Sequence, residues 1–164
     1  MKRLAAFDLD GTLALSKQPL DDEMADLLTR LLDVTMVAII SGGDWPQFET
    51  QLLPALSPHT QLNNLSLVPT CGTKFFAYDS GWKQLYSEDF TEDEKGAIVR
   101  ALERAIEVSA FHIERTWGEQ IEDRGSQITF SALGQQAPIE EKKKWDPGFT
   151  KRTKMKALLE DLLP

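Results

Sequence analysis

Cysteine is almost missing from this chain: Cys71 stands alone in 164 residues. No internal disulfide can form, and a reducing cytoplasm is the expected compartment. Histidine is nearly as scarce. His59 and His112 fall in different halves without metal-ligand spacing, so both read as surface or packing residues. Cys71 has no histidine placed to activate it and reads as a small buried residue. Long apolar runs are absent too. The longest, Val34 to Ile40 with Thr35 inside it, has the length of a buried strand rather than a membrane span. Met1-Lys2-Arg3 opens like a signal peptide, but Asp8 ends the apolar stretch after four residues. Basic residues are in deficit, 18 against 26 acidic, for a net charge of −8. Nucleic acid and anionic membrane are repelled by that balance and are not expected partners.

What remains is ordinary globular material, 41% hydrophobic and 27% charged, enough for one core or a core with a modest insert. Leu4 to Phe7 reads as a strand. Asp21 can cap a helix whose apolar positions are Met24, Leu27, Leu28, Leu31 and Leu32. Val34 to Ile40 is a strand apolar on both faces, Asp44 can cap a second helix, and Leu65 to Val68 is a third strand. The order βαβαβ predicts an α/β fold with a partial doubly wound parallel sheet. After Cys71-Gly72 the rhythm changes. Lys74 to Asp79 and Trp82 to Tyr86 flank a Ser80-Gly81 turn, and Thr91 to Glu94 forms a capping box for a long helix. Phe111 to Thr116, Glu119 to Asp123 and Gln127 to Ala132 read as short strands, and Thr150 starts a last helix. This half reads as an antiparallel α+β unit, with Trp82, Trp117 and Trp145 packing its core.

Chemistry concentrates at the first strand. Asp8 and Asp10 follow its apolar run one residue apart, and Gly11-Thr12 comes next. Two carboxylates at a buried strand end are costly without a cation. Ligands in open α/β sheets sit at the carboxyl ends of strands, where Ser41-Gly42-Gly43 also falls. Phosphoryl transfer needs a nucleophile, a divalent cation and donors around the phosphoryl oxygens. Asp8 suits the nucleophile and Asp10 the acid and base. The Asp8 carboxylate and the Asp10 backbone carbonyl are hard oxygen ligands for Mg²⁺. Gly11 and Thr12 in a tight turn, with Ser41, Gly42 and Gly43 before a helix, are the candidate phosphate-binding residues.

Phe7-Asp8-Leu9-Asp10-Gly11-Thr12-Leu13 resembles the first motif of the haloacid dehalogenase-like phosphatase superfamily, and Ser41 falls where its second motif is expected. The second half resembles the α+β cap of the branch with phosphomannomutases and sugar-phosphate phosphatases. The resemblance implies a core over residues 1–75 and a cap over residues 76–164. It also implies Mg²⁺-dependent phosphoryl transfer from a small substrate, a sugar phosphate, through a phosphorylated Asp8. Ile121-Glu122-Asp123-Arg124 resembles a cap segment that holds the remote substrate phosphate, which makes Arg124 a substrate-binding candidate. Lys142 lies near the place of another basic residue, and Gln135 stands where the mutases carry arginine.

The superfamily also uses a lysine and an acidic pair on later core strands. Lys154 and Asp161 fall on the expected terminal helix and cannot replace them. The chain therefore resembles an incomplete member, and a homo-oligomer is one way to cover the sheet edge and faces left bare. Two other readings remain: a non-catalytic phosphosugar-binding or interaction module, and a phospho-acceptor switch.

Overall fold

The structure, a computed structural model, describes residues 3–163. The chain divides into two compact units, Met1–Glu88 and Asp89–Pro164.

In the first unit the elements run β1 (Leu4–Asp8), α1 (Asp22–Leu32), β2 (Met36–Ile40), α2 (Trp45–Gln51), β3 (Leu65–Val68), β4 (Lys74–Tyr78) and β5 (Trp82–Ser87). They form one five-stranded mixed sheet in the order β1-β2-β3-β4-β5. β1, β2 and β3 are parallel, as the βαβαβ order requires, while β4 and β5 are antiparallel. Asp21 caps α1 by accepting from the Met24 N–H at 2.8 Å. Period-2 alternation sends Val37, Ile39, Leu65 and Leu67 to one face, where Leu28, Leu32, Phe48 and Leu52 of the helical segments bury them. On the other face Leu4, Met36 and Ile40 stay 52%, 48% and 39% exposed. β1 is an end strand of the sheet.

The β4–β5 hairpin, read from sequence as part of the second half, extends this first sheet. Ser66 faces Ala77 and Leu67 faces Phe76 across the β3–β4 pair. The reason is aromatic: Phe76 is buried and stacks on Trp45 of α2 at 4.2 Å between ring centroids. Trp82 meets the same Trp45 edge-on at 5.7 Å and packs on the first core, not on a core of the second half. The division between units accordingly falls after Glu88 rather than after residue 75.

The second unit holds α3 (Glu92–Ser109), a two-stranded hairpin of β6 (Ile121–Asp123) and β7 (Ile128–Phe130), α4 (Ile139–Trp145) and α5 (Thr150–Leu162). The Thr91–Glu94 capping box opens α3 as expected. α3 packs along α5 and against β7, and Lys154 of α5 donates to the Ser109 carbonyl at 3.0 Å, holding the end of α3. Residues 111–116 form no strand: His112, Glu114, Arg115 and Thr116 are exposed, and no ladder partner faces them among the described residues. The basic run Lys142-Lys143-Lys144 instead lies on α4, with Lys143–Glu140 and Lys144–Glu141 pairs at 2.9 and 3.0 Å.

Asp146 sets the start of α5. Its buried carboxylate accepts from the Lys151 and Arg152 N–H groups at 3.0 and 3.1 Å. Burial pushes that carboxyl up. The two backbone donors, with the Arg152 and Lys151 charges, outweigh it and leave Asp146 below the usual carboxylate range. No helix among the described residues is long and apolar enough to cross a membrane.

Candidate functional site

β1 delivers its carboxylates through a tight loop. Asp8 pairs with Ile40 in the parallel register, and the Leu9 N–H donates to the Ile40 carbonyl at 3.1 Å. Buried Leu9 then anchors the turn, its carbonyl accepting from the Leu13 and Ala14 N–H groups, each at 3.0 Å. Gly11, at φ 81°, makes the reversal that an L side chain resists. Asp8 is exposed, and among the described residues nothing bonds its carboxylate. Asp10 is held from two sides. Its Oδ1 accepts from the Lys17 N–H at 2.9 Å, and its Oδ2 accepts from Gln47 Nε2 of α2 at 2.5 Å. One carboxylate is open, the other is fixed two residues on.

Ser41 ends the neighbouring strand. It is 1% exposed, and its Oγ accepts from the Gly43 N–H at 3.0 Å. The Ser41 carbonyl accepts from Cys71 N–H and the Gly43 carbonyl from Thr70 N–H, both at 2.9 Å. The loop after β3 therefore clamps the Ser41-Gly42-Gly43 turn. Thr70, Cys71 and Gly72 take φ 49°, 57° and 100° in succession. A β-branched threonine in that region costs about 1–3 kcal/mol and is held only by its surroundings. That geometry turns Cys71 outward, so the thiol expected to be buried is exposed. Lys74 and Asp44 complete the frame, with Nζ at 3.0 and 2.9 Å from the two carboxylate oxygens and side chains only 12% and 23% exposed. Asp44 also caps α2 at the Trp45 N–H, 2.7 Å away.

The amide donors of the first turn are spent internally. The Gly11 N–H donates to the Ala14 carbonyl at 2.7 Å, and the Thr12 N–H to the Leu9 carbonyl at 3.4 Å. Among the described residues no three His, Cys, Asp or Glu side chains converge on one point. Asp8 and Asp10 nevertheless fit Mg²⁺. That ion keeps several waters and takes one or two protein oxygens plus the substrate phosphate. Since both Asp10 carboxylate oxygens are engaged, the Asp8 carboxylate and the Asp10 backbone carbonyl are the oxygens left to offer.

Arg124 and Lys142 belong to the second unit. Arg124, with its side chain 16% exposed, pairs with Glu122 at 2.6 Å on the β6–β7 hairpin. Lys142 donates to the Gln135 carbonyl at 3.1 Å and lines a groove to which Arg124 does not contribute. The structure thus gives the two candidates separate surroundings within this unit. Sequence reasoning missed Gln47, Lys74 and Thr70. A signal existed only for Gln47, which stands three residues after a helix cap, where a first-turn side chain reaches back to the strand ends.

No protein-family model matches the chain. Phosphomannomutase of Schizosaccharomyces pombe is 27% identical over 171 aligned positions, covering 99% of this chain and 62% of that protein. The IMP-nucleotidase of Plasmodium falciparum has a similar fold, with TM-score 0.67 and 16% identity over 98% of this chain and 43% of its own. An N-terminally truncated, IMP-bound form of that nucleotidase gives TM-score 0.61 at 13% identity, over 99% of this chain and 48% of its own. The chain therefore spans about three fifths of the curated relative and under half of these solved structures. The Asp8-Leu9-Asp10-Gly11 motif at the end of β1 and Ser41 just after β2 thus stand in a chain similar to that phosphomannomutase in sequence and to the IMP-nucleotidase in fold.

Proposed function

We propose that this chain carries phosphoryl-transfer machinery for a sugar phosphate, working through an aspartyl phosphate. The observation that supports it best is the asymmetry of the carboxylates: Asp8 is exposed and unengaged, while Asp10 is fixed by Lys17 and Gln47. An open carboxylate can attack; a positioned one can shuttle a proton. An Asp8 oxygen bonds phosphorus, the bond from phosphorus to the sugar oxygen breaks, and that oxygen takes the Asp10 proton. Asp10 then accepts a proton from water, whose oxygen attacks phosphorus and releases Asp8. A second sugar hydroxyl in place of water gives a mutase. Mg²⁺, when bound by Asp8 and the Asp10 carbonyl, offsets the charge on the phosphoryl oxygens. Arg124 and Lys142 are the proposed holders of the remote part of the substrate, and Ser41, with Gly42, Gly43, Gly11 and Thr12, frames the transferred phosphate. The reaction belongs in a reducing cytoplasm, and a homo-oligomer is its proposed assembled form.

The test is phosphate release from a panel of hexose phosphates with and without Mg²⁺. Metal-dependent turnover that vanishes in Asp8→Asn, with phosphate trapped on Asp8 in the parent, is the expected result. A second reading, a phosphosugar-binding module without turnover, is favoured by the buried Ser41 and by the lack of a third acidic group among the described residues. Binding of sugar phosphate without release, equal in the parent and Asp8→Asn, selects it.

A further inference from the structure

The second unit contains a groove of about 750 Å³, and Lys142 alone among the residues proposed for phosphoryl transfer lines it. Leu102 of α3, Phe130 of β7, Trp145 of α4, and Met155 and Leu159 of α5 make its apolar lining. Its volume is within the roughly 300–1,000 Å³ typical of small-molecule sites. Lys142, Lys151, Arg152 and Lys156 also line it, against a single carboxylate, Glu160. Four cations around one apolar groove stand out in a chain of net charge −8. Two of them reach the solvent: the Arg152 and Lys156 side chains are 57% and 76% exposed, with Arg152 3.9 Å from Asp146 and Lys156 3.4 Å from Glu160. Lys151 sits over the Trp145 ring at 4.3 Å and donates to the Trp145 carbonyl at 2.6 Å, so its charge is held against the aromatic lining.

We propose that this groove binds an anionic amphiphile, a molecule with one phosphate or carboxylate headgroup on an apolar body of about a dozen carbons. Away from Lys142 the apolar lining disfavours a sugar phosphate, whose hydroxyls would lose water there without gaining partners. It also disfavours an extended peptide. The groove is floored by side chains of β7 and walled by helices, so a strand lying on it would bury backbone amides without a ladder to pair them. An apolar tail against Leu102, Met155 and Leu159 with its anion at Arg152 and Lys156 satisfies both surfaces.

The full chain is titrated by calorimetry with dodecyl phosphate and with laurate, below their micelle concentrations, while methyl NMR follows Met155. Saturable binding with a shifted Met155 methyl signal is expected, and the tighter of the two ligands identifies the headgroup. Decyl phosphate, two methylenes shorter, should bind about 16-fold more weakly, since each methylene is worth roughly a factor of four. Arg152→Glu with Lys156→Glu should weaken dodecyl phosphate at least tenfold and leave uncharged dodecyl maltoside unchanged; Glu160→Gln should tighten the phosphate. Equal affinity for the charged and uncharged ligands, or binding that leaves the Met155 signal in place, overturns the proposal. So does a concentration-dependent dimer that shifts Met155 without ligand, which would make a second copy the occupant. Asp8→Asn should leave this binding untouched, so its outcome is independent of the phosphoryl-transfer reading.

Discussion

Replacing Gly43 by alanine should lower activity and stability together. No positive φ is recorded at Gly43, so alanine is compatible with the backbone, and stiffening the unfolded chain contributes about 0.4–1 kcal/mol of stability. The added Cβ, however, would fall on the Gln47 side-chain amide, 2.5 Å from Cδ and closer still to Oε1. That amide is the flexible end of its side chain and can swing away. Doing so breaks the 2.5 Å bond that Gln47 donates to Asp10. A hydrogen bond to a charged group is worth about 1.5–3 kcal/mol, so the net loss of stability should be about 1–2 kcal/mol. If the same energy holds Asp10 in its proton-transfer position, turnover should fall about 10- to 100-fold. Gln47→Ala should give the same loss, and the double variant no more than either alone. Phosphate release and urea unfolding measure both sides, and the Gln47 side-chain amide resonances report the bond directly. Undiminished turnover with the Gln47 resonances unmoved would refute the reasoning. Multiplied losses in the double variant would refute it equally, since the two changes would then act through different contacts.

Lys74→Met should lower stability by about 2 kcal/mol, less than the 3–5 of a fully buried pair because both side chains keep some solvent contact. A double-mutant cycle with Asp44→Asn checks it, and a coupling under about 0.5 kcal/mol would contradict the role given to the pair. Asp146 predicts acid sensitivity of α5. Because its folded pKa lies below the unfolded value of about 3.9, its contribution is complete above that pH and drains away as the pH falls through the lower folded value. Amide exchange at Lys151 and Arg152 should accelerate there in the parent, whereas Asp146→Asn should show fast exchange already at neutral pH. Gly134→Ala should cost more than about 2 kcal/mol. Its φ is 88°, and a Cβ would press on the rigid Trp117 carbonyl, 2.6 Å from its carbon; thermal unfolding measures the effect.

The helix starts and the central strand were legible because their signals are local. Asp21 and Thr91 cap the helices that their side chains announce, and the apolar run of β2 needs no distant partner to be read as a strand. The β4–β5 hairpin was legible as a hairpin but not in its allegiance, which depends on Phe76 and Trp82 finding Trp45 about thirty residues upstream. The run from Phe111 to Thr116 alternates like a strand, yet a strand exists only with a neighbour to bond, and periodicity carries no information about neighbours. Asp8, Asp10 and Ser41 were legible from their positions at strand ends. The bond from Gln47 to Asp10 and the Lys74–Asp44 pair were not, since each joins residues at least thirty positions apart. Cys71 was misjudged because its residue type favours burial, whereas its backbone conformation decides where the sulfur goes.

The same thiol gives the experimenter a handle. It is unique in the chain and solvent-accessible, and it lies 3.7 Å from where a Cβ on Gly42 would stand. A maleimide dye attached to Cys71 without any engineered substitution would sit beside the Ser41 turn. Its emission could then be followed as phosphorylated compounds are added, an optical assay built on the natural sequence.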